Sequence, residues 1–103
     1  MSPVRIGIIL LAAIATSTPA GAESYAQQIR ALCATEWAGD YVMQEYCIGR
    51  HREGMLRVRD IAIANKDNAE IMTLIRHCQA EWRAAHGYDW IMVAYYLEQQ
   101  VES

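Results

Sequence analysis

The chain contains an internal repeat. The pattern Cys-x-x-Glu-Trp at residues 33–37 returns 45 positions later at residues 78–82. After a spacer, residues 40–47 return as residues 89–96, with Asp, an aromatic residue, Met and Tyr in matching order and four extra residues in the second spacer. A repeat of this kind indicates one supersecondary unit that is used twice. At the last matched position, a tyrosine replaces the cysteine of the first copy.

Residues 1–22 have the features of a secretory signal peptide. A positive start with Arg5 precedes an apolar run, and the segment ends in the small residues Ala20-Gly21-Ala22. The run is about 10 residues long, whereas a bilayer-spanning helix needs about 20. We expect cleavage after Ala22, with Ala20 as the alternative site, and export to the bacterial periplasm or medium without a stable membrane span. An uncleaved amphiphilic anchor is the competing interpretation.

The charge of the chain argues against nucleic acid as a partner. Lys and Arg number 9 against 12 Asp and Glu, a formal net charge of −3, and a mildly acidic chain binds polyanions poorly. Residues 23–103 have the size of one domain, whose core is marginal without a covalent staple. All three cysteines lie in this domain. Because export leads to an oxidising compartment, disulfides are the expected state.

The spacing of apolar residues predicts an all-α domain built from two tandem αα-hairpins. No proline follows position 19, and no segment alternates with the period of a strand. Three breaks divide the domain into four helical segments, at residues 24–37, 40–64, 68–85 and from 89 onward. The repeat units, residues 33–47 and 78–96, then each span the junction between two helices.

Six residues of the repeat form the predicted structural corners of the hairpins. They are Glu36, Trp37, Asp40, Glu81, Trp82 and Asp89. Aspartate is a favourable N-cap residue, and each tryptophan is expected to pack under the corner of its own hairpin. Paired carboxylates can perform acid–base chemistry, but no nucleophile and base accompany these. No catalytic residue is therefore predicted, and an enzyme ranks third among the functional classes.

Cys33 and Cys47 are expected to form a disulfide. Cys33 lies about one turn before the end of its helix and Cys47 about two turns into the next. At ~1.5 Å rise per residue they stand at similar heights on opposing helices, and the bond would contribute ~3 kcal/mol. Tyr96 occupies the place where Cys78 would find its partner. Cys78 is then a buried apolar residue, an intermolecular thiol, or a partner of one of the other two cysteines.

A thiol-redox or metal-binding protein that uses Cys78 with His77 or His51 is the alternative function. Cys47 and His51 are spaced i, i+4 and share a helical face, and His77 adjoins Cys78. Metal sites often show paired motifs such as Cys-x-x-Cys or His-Glu-x-x-His. The chain lacks both, so neither a metal ion nor another cofactor is predicted.

The helix that follows residue 89 is the predicted partner-binding element. Its first turns are apolar or aromatic on every side, and so small a domain has little material to cover such a helix. The helix is either the central helix of a compact bundle or partly exposed to a partner chain. In the second case we expect some of Trp90, Val93, Tyr96 and Leu97 to form an exposed patch for a protein partner or a second copy, since Trp and Tyr are enriched at binding hot spots. If the helix is core instead, the interaction surface moves to the arginine-rich residues 50–59.

The two parts of the first repeat unit, Cys-x-x-Glu-Trp and Asp-Tyr-x-Met-Gln-x-Tyr-Cys, together resemble a motif of small exported bacterial proteins. The resemblance implies a helical hairpin stapled by its two cysteines and carries no activity with it. Twin-Cys helical hairpin proteins look like a structural analogue. The sequence as a whole predicts a non-catalytic, exported interaction module that acts as an inhibitor or accessory subunit, or that associates with itself.

Overall fold

Four α-helices make up the fold, and the computed structural model describes residues 24–102. The helices are α1 (Tyr25–Glu36), α2 (Tyr41–Ala64), α3 (Ala69–Glu81) and α4 (Trp90–Glu102). They form two hairpins, α1–α2 and α3–α4, and α2 contacts each of the other helices, α4 most extensively. The predicted all-α bundle is confirmed. The predicted signal peptide lies outside the described residues, and none of the four helices has the length and apolar character that crossing a bilayer requires.

Every helix begins at a polar residue that caps it. Ser24, Asp40, Asn68 and Asp89 each accept a hydrogen bond from the backbone N–H three residues later, at 3.1–3.2 Å. Such bonds satisfy amide groups that have no partner within the helix. The N-caps predicted at Asp40 and Asp89 are confirmed.

The repeat produces two corners that share two backbone hydrogen bonds, although the second corner is four residues longer. We call residues 36–41 the first corner and residues 81–90 the second corner. In both, the tryptophan N–H donates to the carbonyl of the repeated cysteine at 3.0 Å, and the aspartate N–H donates to the tryptophan carbonyl, at 3.0 Å in the first corner and 2.8 Å in the second. Gly39 and Gly87 turn the chain with φ angles of 81° and 83°, which only glycine adopts freely.

The hydrophobic core lies where α2 meets the other helices. Its buried apolar residues are Ile29, Leu32, Cys33, Cys47, Val58, Ile61, Ile75, Cys78, Trp90, Val93, Ala94 and Leu97. Gly54 of α2 is buried at the crossing with α4, where an added Cβ would overlap with the carbonyl group of Trp90. The absence of a side chain at this position therefore lets the start of α4 lie directly on α2.

Candidate functional site

The first hairpin is stapled by the predicted disulfide. Cys33 of α1 and Cys47 of α2 are bonded, with their Cα atoms 5.7 Å apart. Both are buried, at 0% and 5% exposure. The two helices place them at the same height because the short corner fixes the register of α1 against α2.

His51 lies one turn after Cys47 and points into the same part of the core. It is 4% exposed, the one polar residue in the buried set of the described chain, and its Nδ1 atom has no hydrogen-bond partner. A ring nitrogen of His51 and the two disulfide sulfurs all lie within 4.8 Å of one another. Burial lowers the pKa of His51, against the opposing effect of the Asp89 and Glu36 carboxylates. The imidazole is therefore neutral near neutral pH.

Glu36 closes the outer side of this cluster. Its Oε1 atom lies 3.7 Å from the sulfur of Cys47. Glu36 is exposed and is the last residue of α1, so its carboxylate is solvated while it contacts the buried group. Two sulfurs, an imidazole and a carboxylate thus meet at the first corner.

The second hairpin holds a cavity instead of a disulfide. Its volume is about 530 Å³, and it is lined by Leu74, His77, Cys78, Glu81, Trp82, Tyr96 and Gln100. The rings of Trp82 and Tyr96 stack at 5.3 Å between centroids, so the tyrosine that replaces the repeated cysteine packs on the repeated tryptophan. Cys78 is buried as a free thiol, and burial, with a smaller effect of Glu81, raises its pKa.

Of the two histidines predicted to act with Cys78, His77 lines the same cavity. His77 is exposed and pairs with Glu81 at 3.6 Å, and His51 belongs to the first hairpin. Within residues 24–102, Cys78 is part of no group of three potential metal ligands. A thiol with a raised pKa is also a weak nucleophile near neutral pH.

The prediction that α4 presents a binding patch is wrong for three of its four residues. Trp90, Val93 and Leu97 are 2%, 0% and 0% exposed within a single chain. They belong to the core because α2 covers this face of α4, for which the sequence had indicated no covering helix. Tyr96 alone of the four is exposed, at 41%.

Four large apolar side chains are exposed around the first corner. They are Trp37 at 40%, Tyr41 at 77%, Val42 at 79% and Tyr46 at 58%. We call these four residues the corner patch. The prediction that Trp37 packs under its corner is therefore wrong, whereas Trp82 is half-buried. A signal for this patch is present in the sequence, since Met43 and Cys47 share one face of the helix and Tyr41 and Val42 lie off that face.

Acidic residues surround the corner patch. Glu36, Asp40 and Glu45 are all exposed within the same stretch of chain. On the far side, Arg50 donates a hydrogen bond to the Tyr46 hydroxyl at 3.1 Å and lies 5.9 Å from its ring centroid. The stretch of chain that carries the corner patch thus also carries three exposed carboxylates.

The arginine-rich part of α2 is partly neutralised within the chain. Arg57 pairs with Glu98 and Glu102 of α4, and Arg59 lies 3.6 Å from Asp60. These are exposed pairs, whose individual contributions to stability are small. Because part of its charge is already satisfied, this face is a weaker candidate for partner binding than the corner patch.

Comparison with protein families, with curated proteins and with solved structures gives no significant match to this chain.

Proposed function

We propose that the protein is a non-catalytic, exported interaction module that binds a protein partner through the corner patch. The observation that supports this most is the exposure of Tyr41 and Val42, at 77% and 79%. Contiguous exposed apolar patches on small proteins commonly mark interaction sites, and tyrosine and tryptophan are frequent binding hot spots.

The partner that fits has an apolar surface bordered by basic residues. The acidic rim at Glu36, Asp40 and Glu45 attracts such a surface and accelerates its association. The same rim disfavours a two-fold dimer in which two corner patches face each other, because the carboxylates of the two copies would then approach one another.

Two matched substitutions on α2 test the proposal. Val42→Glu places a charge in the corner patch, and Ile63→Glu places the same charge at an exposed apolar position, 62% exposed, near the other end of the helix. We expect Val42→Glu to abolish capture of a partner from the exported proteins of the producing cell, while Ile63→Glu and the native chain retain it. Circular dichroism of both variants checks that the helices are intact.

The captured protein, once identified and purified, allows a direct map of the interface. Oxidative footprinting should show Trp37, Tyr41 and Tyr46 protected in the complex, with Tyr95, 52% exposed in the second hairpin, as the internal control. Capture should weaken with added salt, as charge complementarity requires. Equal capture by Val42→Glu and Ile63→Glu would refute the proposal. So would a native dimer in sedimentation that Val42→Glu dissociates, since the patch would then serve self-association.

A further inference from the structure

We propose that Cys33, Cys47 and His51 form a binding site for a thiophilic divalent cation of the Zn²⁺ class when their disulfide is reduced. The three residues come from two helices, are buried, and bring two sulfurs and a ring nitrogen within 4.8 Å of one another. The two cysteines are either joined in a disulfide or bound to the metal, so the two forms exclude each other. This site is independent of the partner binding proposed above.

The orientation of His51 is the second observation that points to a ligand. A buried polar atom without a hydrogen bond typically costs about 1–3 kcal/mol, and the Nδ1 atom of His51 is such an atom. A metal ion at the cluster would occupy the lone pair of a neutral imidazole. A nitrogen of this buried ring lies within 4.8 Å of both disulfide sulfurs, so the position offers a nitrogen donor beside the two sulfurs.

The donor set matches the preference of zinc. Zinc binds thiolates at ~2.3 Å and imidazole nitrogens at ~2.0 Å in tetrahedral geometry, so its two sulfurs lie about 3.8 Å apart. Rotation of the two cysteine side chains supplies this separation once their bond is broken, with the backbones held by the two helices. The Oε1 atom of Glu36 lies 3.7 Å from the Cys47 sulfur but outside the group of atoms that all lie within 4.8 Å of one another, so this carboxylate reaches the metal only if its side chain rotates.

The chemistry of the switch needs a dithiol as the reductant. Two electrons and two protons pass from the dithiol to Cys33 and Cys47, the S–S bond breaks, and the dithiol becomes a disulfide. Binding of Zn²⁺ to the two thiols then releases both protons and forms two Zn–S bonds. His51 binds through the lone pair of a ring nitrogen.

The second hairpin provides an internal negative control. At the places that match Cys47 and His51 in the repeat it has Tyr96 and Gln100. Of the two repeat units, therefore, only the first carries the ligand set. A metal that bound to exposed histidines or to any free thiol would not distinguish the two hairpins.

Cobalt is a suitable probe because its thiolate complexes absorb light. The protein is reduced with dithiothreitol, freed of it under anaerobic conditions, and titrated with Co²⁺ and then with Zn²⁺. We expect a thiolate-to-cobalt charge-transfer band, one metal per chain, displacement by Zn²⁺ and release of two protons. The oxidised protein should show none of these.

Variants locate the site within the fold. His51→Gln, which installs the residue of the matching position in the second hairpin, should weaken Co²⁺ binding by more than about tenfold, because mutating even the partners of metal ligands typically costs that much. Cys78→Ala and His77→Gln should bind as the native chain does. Circular dichroism of oxidised His51→Gln establishes that the variant folds.

Several results would overturn the proposal. They are equal Co²⁺ affinity in His51→Gln and the native chain, loss of binding in Cys78→Ala, binding to the oxidised protein, and cobalt spectra without a thiolate band. The spectrum, stoichiometry and proton release of the reduced native chain decide the question even if reduced His51→Gln is unstable.

Discussion

The first and second corners share two backbone hydrogen bonds, but the residue after the capping aspartate is exposed at the first corner and buried at the second. Tyr41 and Trp90 both follow a capping aspartate, yet Tyr41 is 77% exposed and Trp90 is 2% exposed. At the second corner, the first turn of α4 lies on the middle of α2 beside Gly54. At the first corner, the matching turn is the first turn of α2 itself, where Tyr41 and Val42 are exposed.

The repeated residues therefore determine the turn at each corner, but they do not determine whether the side chains of that corner are buried. Backbone caps depend on residues within a few positions of one another, so two copies of the same residues give two copies of the same corner. Burial depends on the helix that packs against the corner, and only the second corner has α2 across from it. The start of α2 is therefore exposed at the first corner, whereas the matching start of α4 is covered by α2.

The largest expected difference between the two corners comes from replacing the two matched aromatic residues by alanine. Trp90→Ala removes a buried ring that contacts Tyr25 and Tyr88 at centroid distances of 5.0 and 5.4 Å, and should cost ~3–5 kcal/mol. Tyr41→Ala should change the free energy of unfolding by less than about 0.5 kcal/mol, as is usual for exposed positions. Urea denaturation measures both, and comparable losses would show that the first corner is also covered.

The next contrast concerns the cysteines. Replacing Cys33 and Cys47 together by alanine removes the staple of the first hairpin and should lower stability by ~3 kcal/mol. Cys78→Ala in the second hairpin should cost only ~1 kcal/mol, the usual value for a single substitution. Non-reducing peptide mapping gives the pairing independently, and a Cys33–Cys78 bond would contradict the assignment.

The two glycines of α2 test whether close packing of α4 on α2 buries the second corner. Gly54→Ala forces a Cβ against the Trp90 backbone and should destabilise the fold by ~1–3 kcal/mol. Gly49→Ala meets no atom within 4 Å and should stabilise the helix by up to ~1 kcal/mol. Thermal unfolding of the two variants therefore moves in opposite directions, and a neutral Gly54→Ala would mean that the α2–α4 contact is loose.

The smallest expected effect is the dependence of stability on pH. Burial lowers the pKa of His51, so the unfolded chain binds the proton more tightly than the folded chain does. This contribution is complete above the ordinary histidine pKa of about 6.5 and is lost as the pH falls toward the folded value. Urea midpoints at about pH 7.5 and about pH 5 should differ less in His51→Gln than in the native chain. His77→Gln, at an exposed histidine, should leave the difference unchanged.

Most of the fold and part of the candidate site could be predicted from residues close together in the chain. The four helices, the caps at Asp40 and Asp89 and the Cys33–Cys47 bond all follow from spacing within one hairpin. The burial of Trp90, Val93 and Leu97 could not be predicted, because it requires the packing of α4 on α2, which are far apart in the sequence.

The amino-acid sequence by itself therefore determined two stapled or capped hairpins and the repeated corner that turns each of them. These features are local, since a cap, a glycine with positive φ or a disulfide across one turn needs no other part of the chain. The tertiary structure alone decided which aromatic residues are core, that the corner patch is exposed, and that His51 meets the disulfide. The reason is that a side chain is buried only when another part of the chain covers it. The helix that does so is distant in the sequence, and local residue spacing does not identify it.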